Sequence, residues 1–338
     1  MRYHSIGDRN VSVLCLGAMP FGARIDERTS FALLDRFVER GGNFIDTADN
    51  YCFWIDGCTG DESETLLGRW FARRGNRDEV VLASKLGGRP VGPVGTDRAA
   101  DILEGLSAPA VRDALKGSLE RLGTARVDLL YRHVDDPDTP LEETVRVFGE
   151  LIGSGAVGMA GVSNLTAARL RATEEAAAAL GLPDAVALQQ RHTYLRPLPG
   201  TDFGVQRYAD DAVLAEVRRR PDLTLLAYTA LLEGAYSNPT KPLPAPYDHP
   251  ASHRQLAALR EVAAETGATV NQVVYAWLLG GDPAALPVIG VSTLGQLDEA
   301  LEAVDVELAP EQRAFLDAAR AEPLPGEWGP AGDVRSGN

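Results

Sequence analysis

Eight short apolar runs recur along the chain, and each is followed by a stretch with helical periodicity. The runs are residues 13–16, 43–46, 80–84, 127–131, 158–162, 185–189, 223–227 and 287–289. Each is nearly continuous in apolar character, with no two-residue alternation. That suits parallel strands covered on both faces. The intervening stretches read as helices over 30–39, 61–72, 108–122, 141–152, 166–180, 211–219, 253–266, 271–279, 295–304 and 310–321. Ser107 reads as an N-cap, and Gly123, Gly181 and Gly267 read as stops. Eight strand–helix units in sequence predict an α/β protein, a single-domain (β/α)8 TIM barrel. A doubly wound sheet would want a Gly-rich turn after its first strand, but GAMPFG does not match G-x-G-x-x-G.

The barrel is expected to span residues 1–322, with a Pro/Gly-rich tail at 323–338. Three long segments follow strands, at 51–60, 86–106 and 231–250. In a barrel all three belong on the face where chemistry is done.

Composition narrows the class. Of 338 residues, 33 are Lys or Arg and 48 are Asp or Glu, a net charge of −15. That argues against nucleic acid or an anionic membrane as a partner, and for a small molecule. No run of 18 apolar residues occurs, and the first residues lack a signal-type pattern. Cys15, Cys52 and Cys58 are odd in number and lack metal-type spacing, so no metal site is expected. Cysteine usage fits a reducing compartment, and the expected location is cytoplasmic.

Only three lysines occur, Lys85, Lys116 and Lys241. Lys85 ends the third apolar run, Asp46 ends the second, and His133 follows the fourth. Tyr51 lies one short loop beyond Asp46. A lysine at a barrel rim needs a partner, and Asp46 is the natural one. A neighbouring ammonium favours phenolate and would lower the pKa of Tyr51 by roughly 1–3 units. Such a group suits proton transfer to a carbonyl oxygen, with His133 as a second hydrogen-bond donor.

The runs GGNFIDTADNY (41–51), VVLASK (80–85), DLLYRH (128–133) and GVSN (161–164) together resemble the aldo-keto reductase superfamily. LCLGAMPFG (14–22) and DTPLEET (138–144) are also similar to it. The resemblance implies an oxidoreductase that reduces an aldehyde or ketone with NADP(H), or alternatively NAD(H). It places Tyr51 as general acid, Lys85 and Asp46 as the pair that tunes it, and His133 as the residue that orients the carbonyl. It assigns Ser163, Asn164 and Gln189 to the nicotinamide carboxamide and Tyr228 to stacking on the ring. It assigns Thr229 and Leu231 in TALLEG to the pyrophosphate, and Gly290, Ser292 and Gln296 to the adenosine end. Met19, Phe21, Phe53 and Trp54 are expected to line the substrate pocket.

Two departures stand out. Residues 287–304 contain no Arg or Lys, and Ser292 occupies a position where a base for the 2′-phosphate is common. QQRHTY (189–194) replaces a Gln-Asn-Glu-Tyr-like run. Two other functions compete. One is a catalytically weak, nicotinamide-binding regulatory or scaffold barrel, against which all four catalytic positions are filled. The other is a phosphosugar isomerase or lyase, which would want a phosphate site after strands seven and eight.

Overall fold

The computed structural model describes residues 1–92 and 102–321. An antiparallel hairpin opens the chain, β1 (Tyr3–Ile6) and β2 (Arg9–Ser12), turning at Gly7-Asp8. Eight strands then follow: β3 (Cys15–Gly17), β4 (Phe44–Asp46), β5 (Val81–Leu86), β6 (Val127–Arg132), β7 (Val157–Ser163), β8 (Ala187–Arg191), β9 (Thr224–Tyr228) and β10 (Ala285–Ile289). They close in the order β10-β3-β4-β5-β6-β7-β8-β9. Every pairing in the barrel is parallel. The expected (β/α)8 barrel is the observed one. Each strand run expected from sequence overlaps its observed strand.

Helices cover the outside: α1 (Glu27–Glu39), α2 (Glu62–Arg74), α3 (Ala108–Leu122), α4 (Leu141–Gly153), α5 (Ala167–Leu180), α6 (Asp211–Arg219), α7 (Pro250–Thr266), α8 (Val270–Leu279), α9 (Leu294–Glu302) and α10 (Pro310–Arg320). Their ends follow local chemistry. Asp26, Thr166 and Asp210 each accept a first-turn amide, and Thr269 with Gln272 forms a capping box. Ser107 stands at the head of α3 but its side chain caps nothing. The amide of Ala108 is taken instead by Glu143 from α4, at 2.8 Å. None of the described helices is long and apolar enough to cross a membrane.

The hairpin was not anticipated. It lies across the strand starts. His4 reaches Thr224 at the head of β9, Ser12 reaches Asn43 just before β4, and Gly7 abuts Met159 of β7. It closes the barrel floor. The three long segments leave from strand ends at the opposite face, as expected. Residues 93–101 of the second one, and the tail at 323–338, lie outside the described residues.

Candidate active site

The parallel register brings the strand-end residues to one level. Asp46 pairs with Ala83, Lys85 with Tyr131, and Ser163 with Gln189. Side chains alternate along a strand, so every second residue faces the interior. Lys85 and Asp46 are both almost wholly buried. The ammonium meets Asp46 Oδ2 at 2.5 Å, the Thr47 carbonyl at 2.8 Å and the Tyr51 hydroxyl at 2.5 Å. Tyr51 keeps part of its surface open, and its hydroxyl also lies 3.2 Å from Asp46 Oδ2. The His133 ring stands edge-on to that of Tyr51, with centroids 5.9 Å apart. All four residues expected to act together are therefore in one cluster.

The electrostatics differ from the sequence expectation in one respect. Burial, and then the negative charge of Asp46, hold the Tyr51 phenol well above its ordinary pKa. The expected lowering by Lys85 does not prevail, because the ammonium is already committed to Asp46 and desolvation favours the neutral phenol. Burial also lowers the pKa of Lys85, with Asp46 opposing it. Burial and the nearby Lys85 push His133 down to about 3, so its imidazole is neutral. Its Nδ1 is buried without a hydrogen-bond partner. Gly88 fits against this face: a Cβ there would stand 3.1 Å from His133 Nδ1 and 2.9 Å from Asn50 Nδ2.

The next layer joins β7, β8 and β9. Gln189 Nε2 donates to Asp46 Oδ1 at 2.8 Å, which gives the second carboxylate oxygen a partner. Ser163 donates to the Gln189 carbonyl at 2.7 Å. Asn164 donates to the His133 carbonyl at 2.9 Å and accepts the Tyr228 hydroxyl at 2.7 Å. Thr166, and neither Ser163 nor Asn164, caps α5. Asn164 has a φ of 59°, which asparagine tolerates better than most residues. Thr229, at a φ of 57°, is β-branched and strained, and Leu232 and Glu233 follow with positive φ in the same TALLEG run. At the rim, Ser292 and Gln296 are exposed and bonded to each other, beside the start of α9. Gly290 is exposed, with nothing within 4 Å of where a Cβ would stand.

Of the expected substrate residues, Met19 is 39% exposed and Trp54 48% exposed, while Phe53 is half-buried and packs edge-on to Trp54 at 5.1 Å. The thiol of Cys52 donates to the Met19 carbonyl at 3.2 Å, which joins their two loops. Phe21 is a correction. It has no exposed surface and belongs to the core, so it backs the wall and does not face a ligand.

One acidic group went unnoticed in the sequence. Asp49 is fully buried beside this cluster and neither carboxylate oxygen has a partner. Burial, and then the charge of Glu104, raise its pKa well above the usual carboxylate range. Only its place three residues after Asp46 hinted at its position. Asp135 and Asp136 tie down neighbours. Asp135 pairs with Arg169, and Asp136 takes the amide of Leu106. No cluster of three or more metal-ligating side chains occurs among the described residues.

Comparison with known proteins identifies the family. The chain is 33% identical over 319 residues to the norsolorinic acid reductase stcV of Emericella nidulans, covering 89% of this chain and 76% of that one. It is 32% identical over 313 residues to the uncharacterized oxidoreductase YrpG of Bacillus subtilis, covering 91% of each. Among solved structures, the thermostable aldo-keto reductase Tm1743, in complex with the inhibitor epalrestat, superposes with a TM-score of 0.71. It is 25% identical, covering 94% of this chain and all of that one. The family model described as the aldo/keto reductase family matches residues 13–321, and the chain belongs to that family of oxidoreductases.

Proposed function

We propose that the chain reduces an aldehyde or ketone to an alcohol, with NADP(H) as the preferred cofactor and Tyr51 as the proton donor. The observation that carries this reading is the single Lys85 ammonium in contact with both Asp46 and the Tyr51 hydroxyl.

The residues present fit a nicotinamide dinucleotide. Gln189, Ser163 and Asn164 lie at the level of the catalytic cluster, and Tyr228 presents a half-buried ring beside Asn164. Thr229 and Leu231 begin the strained turn after β9. The open positions Gly290, Ser292 and Gln296 follow β10, the neighbouring strand. The start of α9 offers the positive end of a helix dipole to a phosphate, which offsets the absence of Arg and Lys from 287–304.

When bound, the reduced nicotinamide supplies the hydride that the carbonyl carbon takes up. The chain supplies the rest. The Tyr51 O–H bond breaks as its proton passes to the carbonyl oxygen, and a new O–H bond forms there. The phenolate left behind sits against Lys85, whose charge stabilises it, and Asp46 keeps Lys85 in place. Because burial holds Tyr51 protonated at neutral pH, the donor is loaded before substrate arrives. Neutral His133 is suited to hydrogen-bond the same oxygen without adding charge. Met19, Phe53 and Trp54 offer an apolar wall of a size for a medium-sized carbonyl compound. The norsolorinic acid reductases among the relatives make norsolorinic acid the first compound to screen.

The test is a titration of tryptophan fluorescence with NADPH and NADH, followed by a carbonyl screen with the tighter cofactor. Tyr51→Phe is expected to lower reduction by about 10²-fold or more while leaving cofactor affinity near that of the parent. A Tyr51→Phe enzyme that reduces carbonyls at the parental rate overturns the assignment.

A further inference from the structure

Arg191 is the last residue of β8, two positions beyond Gln189 and so on the same face of the strand, toward the open mouth. It lies in the QQRHTY run (189–194). Its register partner is Tyr228. The guanidinium carbon sits 4.6 Å from the centre of the Phe203 ring, and Nε reaches only the amide oxygen of Gln206, at 3.3 Å. Nη1 is buried and has no hydrogen-bond partner. Among the described residues no carboxylate pairs with Arg191, in a chain where most buried or half-buried arginines have one. Arg77, Arg121, Arg169 and Arg220 are all paired.

A second orphan packs against the same phenyl ring. Tyr247, in the long segment after β9, is fully buried with its ring 6.2 Å from that of Phe203, and its hydroxyl has no partner. The end of β8 is also fastened to the turn after β9, because Thr193 donates to the Ala230 carbonyl at 2.6 Å. Two unsatisfied donors, one of them cationic, thus converge on Phe203 next to Tyr228. A buried donor without a partner costs stability, and such groups in folded proteins call for an explanation. An arginine that stacks on an aromatic ring and has a free N–H is suited to an anionic oxygen.

We propose that Arg191 and Tyr247 form an anion-binding corner at the mouth of the barrel, which takes an oxyanion through the Arg191 guanidinium and the Tyr247 hydroxyl. Two sources share this chemistry: a phosphate group of the dinucleotide, and a carboxylate on the substrate. The first rests on the cofactor reading above.

The direct probe is inorganic pyrophosphate, which does not depend on that reading. The melting temperature of the parent is expected to rise saturably with it, and Arg191→Gln and Tyr247→Phe should flatten the response. Tyr247→Phe removes only an unpartnered oxygen, so it keeps the test open should Arg191→Gln fold poorly. If the source is the cofactor, Arg191→Gln weakens NADPH binding at least tenfold and reduces its salt dependence. If the source is the substrate, cofactor affinity holds, and KM for 4-carboxybenzaldehyde rises at least tenfold while KM for its methyl ester does not. Failure of the parent to bind either dinucleotide would sink the cofactor reading and leave the pyrophosphate and carboxylate arms to decide this one. Variants that match the parent in pyrophosphate response, cofactor affinity and carboxylate preference overturn the proposal.

Discussion

Removing one member of the Lys85–Asp46 pair should cost far more than removing both. Each side chain is 1% exposed. In Lys85→Met the Asp46 carboxylate keeps Gln189 and the Tyr51 hydroxyl but loses the Lys85 counter-charge. In Asp46→Asn the ammonium keeps the Thr47 carbonyl and the Tyr51 hydroxyl. A buried charge stripped of its partner destabilises by about 3–5 kcal/mol. For a chain of this length the unfolding entropy is roughly 0.7 kcal/mol/K, so each single variant should melt about 4–7 °C below the parent. The double variant buries no net charge and leaves the Gln189 bond in place. It should therefore lie within about 3 °C of the parent, a coupling of several kcal/mol. Thermal unfolding followed by circular dichroism, at one pH and salt concentration, measures all four corners of the cycle. A double variant that melts lower by the sum of the two single losses would refute the reasoning.

Two further predictions concern pH. Burial holds both His133 and His192 down to about 3. The unfolded chain takes up these two protons near pH 6.5, and the folded chain refuses them. Stability should then fall as pH drops below about 6.5, with these two groups contributing about 2.7 kcal/mol per pH unit until their folded values are approached. Urea midpoints between pH 6.5 and 4.5 measure the slope, and His192→Asn should remove about half of this contribution; an unchanged slope refutes it. Asp49 has the opposite sign. Its folded pKa is raised, so the folded chain holds a proton that the unfolded chain has released, and the penalty grows with pH above about 4. Asp49→Asn should therefore stabilise the protein, and by more at pH 8 than at pH 5; a gain that shrinks with pH would count against the assignment.

The barrel was legible because each strand is an apolar run with a break on either side, and the parallel sheet demands little else of its sequence. The clustering of the candidate residues was legible for a related reason. Asp46, Lys85 and His133 mark the ends of three successive strands, and closure of the sheet must bring such ends together. The hairpin at Tyr3–Ser12 was missed because YHSI and RNVS are too polar to read as strands. The Gly7-Asp8 turn between them was the available signal. The acidity of Tyr51 was misjudged because proximity to Lys85 shows in the sequence, whereas burial and the prior claim of Asp46 do not. Phe21 was misplaced for the same reason: being near the mouth in sequence does not say which way a ring turns. Arg191 stood out as a departure, but only packing shows that one of its nitrogens is left unpartnered.

The hairpin sets a cover across one end of the barrel. Ile6 is buried, and Gly7 lies so close to Met159 that a Cβ there would collide with its sulfur. Exchange between the strand-end cluster and solvent is therefore expected through the opposite face, where the long segments leave the barrel.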